Sequence, residues 1–147
     1  MTDQLAGFSP LARSIFAREN YRIVTADSLD EVAGALPLAM LFAVGDHNRL
    51  TECDDAAVIL AELDKAQARR VVPLVCARAD EREIQKRYRF TGFPSLIFLS
   101  HGRYLGCIER VLDWSDYRIQ IPQILSREPH DPPAFRMPEH CAPAPRD

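Results

Sequence analysis

Four cysteines, at positions 53, 76, 107 and 141, are the side chains of this 147-residue sequence best suited to covalent chemistry. Their separations of 23, 31 and 34 positions match neither a Cys-x-x-Cys pair nor a zinc-ligand spacing, so a disulfide framework or a cysteine-built metal site is not expected. Cys76 and Cys107 fall inside apolar runs and read as small core residues. Cys53 differs, because it stands at the start of a helical pattern. Thiol–disulfide exchange needs a thiolate and a second thiol to resolve the mixed disulfide, and one cysteine cannot complete that cycle. A helix dipole would lower the Cys53 pKa, but Glu52, Asp54 and Asp55 surround it with opposing negative charge. The four histidines, at 47, 101, 130 and 140, share no metal-ligand spacing. No Ser-His-Asp order, glycine-rich phosphate loop or paired-carboxylate motif is present. The sequence therefore offers no catalytic group, metal set or cofactor site, and what remains is charge. Asp46 to Lys65 holds six acids and two bases, a segment charge of −4, whereas Arg69 to Arg110 holds nine bases and four acids, or +5.

The elements that must carry these residues follow from periodicity and turn signals. Phe8, Leu11, Ile15 and Phe16 have helical spacing within Gly7–Asn20, with Pro10 tolerated in the first turn. Tyr21–Thr25 reads as a strand, and Ser28 to Glu31 as a capping box opening a helix that Pro37 closes. The unbroken apolar run Leu38–Val44 fits a central strand covered on both faces, and Gly45-Asp46-His47-Asn48 turns out of it. Thr51 caps a helix with Ala56, Ile59, Leu60 and Leu63 on its core side. Val71–Ala77 is a second buried strand, and Pro73 within it predicts an edge position or a bulge. A charged helix, Asp80–Tyr88, precedes the turn Thr91-Gly92-Phe93-Pro94, the strand Ser95–Leu99, a hairpin at Ser100-His101-Gly102 and the return strand Arg103–Arg110. Asp113 opens a last helix to Leu125, with Trp114 expected at a surface edge of the core. Arg82, Lys86 and Arg89 form a ridge assigned to a solvated helix face rather than to phosphate or nucleic acid.

Eighteen basic against twenty-one acidic residues give a net charge of −3, too weak a field to favour nucleic acid or an anionic membrane as partner. The seven-residue run Leu38–Val44 is the longest strictly apolar one, far below the ~20 residues a spanning helix needs. The Met1-Thr2-Asp3-Gln4 start lacks the features of a secretory signal, so the expected compartment is the cytoplasm. Six of the eleven prolines fall within residues 129–147, which divides the chain into a folded domain, 1–125, and an extended, proline-rich tail, 126–147. The element order predicts an α/β fold with a mixed central sheet flanked by helices on both faces, the topology of the thioredoxin fold.

Tyr88 to Leu99, with His101-Gly102 and Trp114 downstream, resembles the thioredoxin pattern of a loop proline before a buried strand and a glycine hairpin. That likeness implies a cis bond at Pro94 and an exposed edge at the preceding residue, where thioredoxin-like proteins hold extended peptides. The same alignment places Leu50-Thr51-Glu52-Cys53 where a thioredoxin keeps its cysteine pair, so the first, nucleophilic cysteine is missing; the buried proton-accepting aspartate falls at Met40. Closer still, Tyr88-Arg89-Phe90-x-x-Phe93-Pro94-Ser95-Leu96-Ile97-Phe98 and Gly102-Arg103-Tyr104-Leu105-Gly106 are similar to the thioredoxin-like accessory proteins of uptake NiFe-hydrogenase operons, the HyaE, HoxO and HupG family. This resemblance implies a non-catalytic cytoplasmic chaperone for the hydrogenase small-subunit precursor and its twin-arginine signal peptide, working among other hydrogenase accessory proteins. Carboxylates bind guanidinium groups in forked, charge-assisted pairs. Glu52, Asp54 and Asp55 would then meet the two arginines while Leu50, Phe93 and Pro94 contact the apolar stretch that follows. Two alternatives stand beside this: the acids serve only the helix dipole, at roughly 0.3–1 kcal/mol each, or the protein is a monothiol redox protein acting through Cys53.

Overall fold

The computed structural model describes residues 5–68 and 70–133; the greater part of the expected tail, 134–147, lies outside the described residues. In chain order the elements are helix α1 (Pro10–Glu19), strand β1 (Arg22–Val24), α2 (Leu29–Gly34), β2 (Ala39–Ala43), α3 (Glu52–Ala66), β3 (Val72–Cys76), α4 (Glu81–Tyr88), β4 (Ser95–Ser100), β5 (Arg103–Glu109) and α5 (Trp114–Leu125). A 3-10 turn, Arg78–Asp80, leads into α4. The strands form one sheet in the order β1-β3-β2-β4-β5. β3 runs parallel to β1 and β2, β4 runs antiparallel to β2, and β5 antiparallel to β4.

All five residues of β2 are buried, as its apolar run requires of a strand sandwiched between two helical layers. Met40 and Phe42 point into the core under α1, α3 and α5, while Ala39, Leu41 and Ala43 point into the core under α2 and α4. Phe16 of α1 meets Phe42 edge to face at 6.2 Å, which ties the N-terminal helix to the central strand. Each such fully buried large side chain stabilises the fold by roughly 1.5–3 kcal/mol.

The edge position expected for Pro73 is not found: β3 lies between β1 and β2. Val72 N–H donates to Leu38 O on the β2 side, so the alternation of the strand aims the Pro73 nitrogen toward β1, whose pairing begins only at Leu74. The missing donor therefore costs no ladder bond. The expected side-chain caps also differ. Ser28, Thr51 and Asp113 make no capping bond to their helices. Ser28 Oγ instead accepts from Thr25 N–H, and Thr25 Oγ1 accepts from Ser28 N–H, a reciprocal turn before α2. At α1 a true cap forms, with Ser9 Oγ accepting from Ala12 N–H and Pro10 at the first position. The hairpin places His101 at φ 50° and Gly102 at φ 81°, the left-handed pair of a two-residue turn between antiparallel strands.

Residues 127–133 have no regular element and cross the outer side of β5. His130 N–H donates to Tyr104 O at 3.0 Å, the His130 ring lies edge-on to Tyr104, and Arg89 Nη1 donates to the carbonyls of Pro132 and Pro133.

Candidate docking site at the end of β2

The chain leaves β2 at Val44-Gly45, and two buried protic side chains hold it there from opposite layers. From α3, the Cys53 thiol donates to Val44 O at 3.2 Å. From α4, Glu81 Oε2 accepts from both Val44 N–H and Gly45 N–H at 3.1 Å, while Oε1 pairs with Arg78. Cys53 is 1% and Glu81 3% exposed. Burial, reinforced by the Glu81 charge and opposed by Arg78, pushes the Cys53 thiol up to about 11. Burial pushes Cys76 up to about 12. It also raises Glu81, against the pull of the Gly45 N–H, Arg78 and the Val44 N–H. Cys53 is thus protonated at neutral pH and closed to an incoming disulfide, and a mixed-disulfide role for it finds no support in this geometry. Met40, at the position of a thioredoxin's proton acceptor, is fully buried in β2.

Asp46 shapes the following loop: its carbonyl accepts from Arg49 and Leu50 N–H, and its Oδ1 from Asn48 N–H. These bonds bring Leu50 back over Gly45, where Phe93 also arrives. Gly45 has φ 92°, and a Cβ on it would stand 2.6 Å from Phe93 Cβ and 2.9 Å from Leu50 Cδ1. Only glycine lets the two apolar side chains close into one ridge. Phe93 is braced edge-on against Phe90 at 5.3 Å. The Phe93–Pro94 bond is cis, as the resemblance implies. Around it Glu109 accepts from Thr91 N–H and Oγ1, Ser95 Oγ donates to Gly92 O, and Arg110 N–H donates to Pro94 O. The loop is fixed on its inner side, and among the described residues no backbone hydrogen bond involves Phe93.

Between the loop after β2, the start of α4 and residues 91–93 opens a cleft of about 610 Å³. Leu50 and Phe93 line it, together with Asp46 and the side chains of Arg49, Arg78 and Arg82. The expected site residues are therefore divided. Pro94 is buried and lines no part of the cleft; it borders a small pocket with Ala56, Ile59 and Tyr117 instead. None of Glu52, Asp54 and Asp55 lines it either. Asp54 is half-buried and accepts from Ser9 Oγ, Glu52 is half-buried with its charge felt by Tyr117 of α5, and Asp55 is exposed. Arg82, assigned from sequence to a solvated ridge, lines the cleft although it is exposed. Sequence reasoning missed Glu81, Arg78 and Arg49. The i,i+3 pair Arg78–Glu81 was a visible signal, but nothing local says that Glu81 reaches the end of β2. Among the described residues no His, Cys, Asp or Glu group could hold a metal ion, and no helix is long and apolar enough to cross a membrane.

A mixed sheet between two helical layers, a cis-proline loop and a lone buried cysteine in place of an exchange pair define a thioredoxin-like protein; a Plasmodium falciparum thioredoxin superposes with a TM-score of 0.58 at 17% identity, covering 69% of this chain and 97% of its own. The model of the family described as "Hydrogenase-1 expression protein HyaE" matches residues 11–117. The hydrogenase expression/formation protein HoxO of Azotobacter vinelandii is 44% identical over 124 residues, covering 84% of this chain and 83% of its own length. The hydrogenase expression/formation protein HupG of Bradyrhizobium diazoefficiens is 36% identical over 114 residues, covering 75% and 77%. The chain belongs to the HyaE family, and its role lies in hydrogenase maturation.

Proposed function

We propose that the protein is a non-catalytic cytoplasmic chaperone that holds the NiFe-hydrogenase small-subunit precursor, with its twin-arginine signal peptide, before export. The observation that carries this reading is the pairing of a retained docking ridge with a retired thiol. Leu50 and Phe93, both half-buried, line the cleft beside a braced cis-proline loop, while Cys53 is spent on Val44 O. A thioredoxin-like groove binds an extended chain by strand-like hydrogen bonds at the residue before the proline, and here that residue is Phe93. The apolar part of the signal lies against Leu50 and Phe93. Its arginines meet the acids at the start of α3, with Asp55 and Glu52 more available than Asp54, which already serves Ser9.

Isothermal titration of the purified protein with the precursor, and with its synthetic signal peptide, tests the reading. Reversing Glu52→Lys and Asp55→Lys together weakens binding at least tenfold, since losing one good guanidinium pair and adding repulsion costs more than about 1.4 kcal/mol. Unchanged affinity removes the acids from the account. Cys53→Ser keeps binding, and the native protein shows no insulin-reducing turnover; loss of binding in a folded Cys53→Ser protein would restore the redox alternative.

A further inference from the structure

We infer that the cleft beside α4 takes a carboxylate-bearing stretch of an extended partner chain, so that one bound segment is read for acidic side chains on this side of the Leu50–Phe93 ridge and for basic ones on the other. This deepens the docking reading and rests on it only in treating the ridge as a chain-binding surface.

Both oxygens of Glu81 are taken by Arg78 and two backbone N–H groups, and Asp46 uses Oδ1 for Asn48 N–H. Two of the three arginines of the cleft have no such partner among the described residues. Arg49 and Arg82 are exposed and have no carboxylate partner among the described residues; Arg82 donates only to Gln85 Oε1, at 3.2 Å. Arg78 is held in place by Glu81, yet its Nε is buried without a hydrogen-bond partner among the described residues. A chain of net charge −3 therefore carries two exposed guanidinium groups without a carboxylate partner beside Leu50 and Phe93. Guanidinium forks match carboxylate geometry. Arg87, by contrast, is spent on Asp30 and Ala26 O. A nucleic acid fits less well, because beyond Leu50 it would run into the segment of charge −4 that holds Glu52 and Asp55. A peptide with an acid at one end and a base at the other meets no such conflict.

Fluorescence anisotropy with labelled decapeptides tests this. The peptides share one apolar centre and two Lys residues at one end, and carry two Asp or two Asn residues at the other. The Asp peptide is expected to bind the native protein at least tenfold more tightly than the Asn peptide. That advantage disappears in the Arg49→Glu/Arg82→Glu variant and survives in Glu52→Lys/Asp55→Lys. Both arginines are exposed, and Arg82→Gln, with circular dichroism on every variant, guards against a folding artefact. Equal binding of the two peptides, an advantage that survives the arginine reversal, no binding of any peptide at millimolar concentration, or tighter binding of an oligouridylate than of the Asp peptide would each overturn the inference. Failure of the hydrogenase reading is distinct: the precursor would not bind while the peptide preference persisted.

Discussion

The starts of α3 and α4 flank the end of β2 and are built as electrical opposites. α3 turns a neutral thiol inward and leaves acids outside, whereas α4 turns a carboxylate inward and leaves arginines outside. Both inward groups grip Val44-Gly45, one from each helical layer. Of the outward groups, Asp55 and Arg82 are exposed, whereas Asp54 already serves Ser9 and Arg87 serves Asp30.

Glu81→Ala strands Arg78 and two buried N–H groups, and lowers unfolding stability in urea by about 3–5 kcal/mol. Gly45→Ala comes next: a methyl with no room beside Phe93, at a left-handed φ, costs about 2 kcal/mol and separates the Leu50–Phe93 ridge, which equilibrium unfolding and signal-peptide titration would both record. On the α3 side, Cys53→Ala removes one thiol hydrogen bond and costs only about 1 kcal/mol. A loss as large as that of Glu81→Ala would show that the two anchors are equals. The pH dependence sharpens the same point. Cys53 and Cys76 are raised from 9.0 to about 11 and about 12, so between those values the unfolded chain has released protons that the folded one keeps. Unfolding stability should therefore be insensitive to these thiols below pH 9 and fall as pH climbs toward 12. The slope should be shallower in Cys53→Ala.

The sequence was a better guide to α3 than to α4. Cys53 sits in an apolar rhythm with Ala56, Ala57 and Leu60, and burial follows that rhythm. Glu81 follows no such rule: a charged residue at a helix start reads as a surface dipole partner, and its burial is decided by backbone 36 and 37 positions away. The cis proline was legible through resemblance, because a motif carries geometry that composition does not. Pro73 misled for the opposite reason, since a proline forbids only one side of a strand and the sequence does not say how far the neighbour on that side extends. The acids at 52, 54 and 55 were rightly placed at the start of α3, but at about 100° per residue only Glu52 and Asp55, three apart, share a face, while Asp54 turns to Ser9.

The crossing of residues 127–133 over β5 has a consequence for how copies of the chain can meet. One margin of the sheet is only three residues long, and the other has a carbonyl already answered by His130. Neither is a ready template on which copies could zip together.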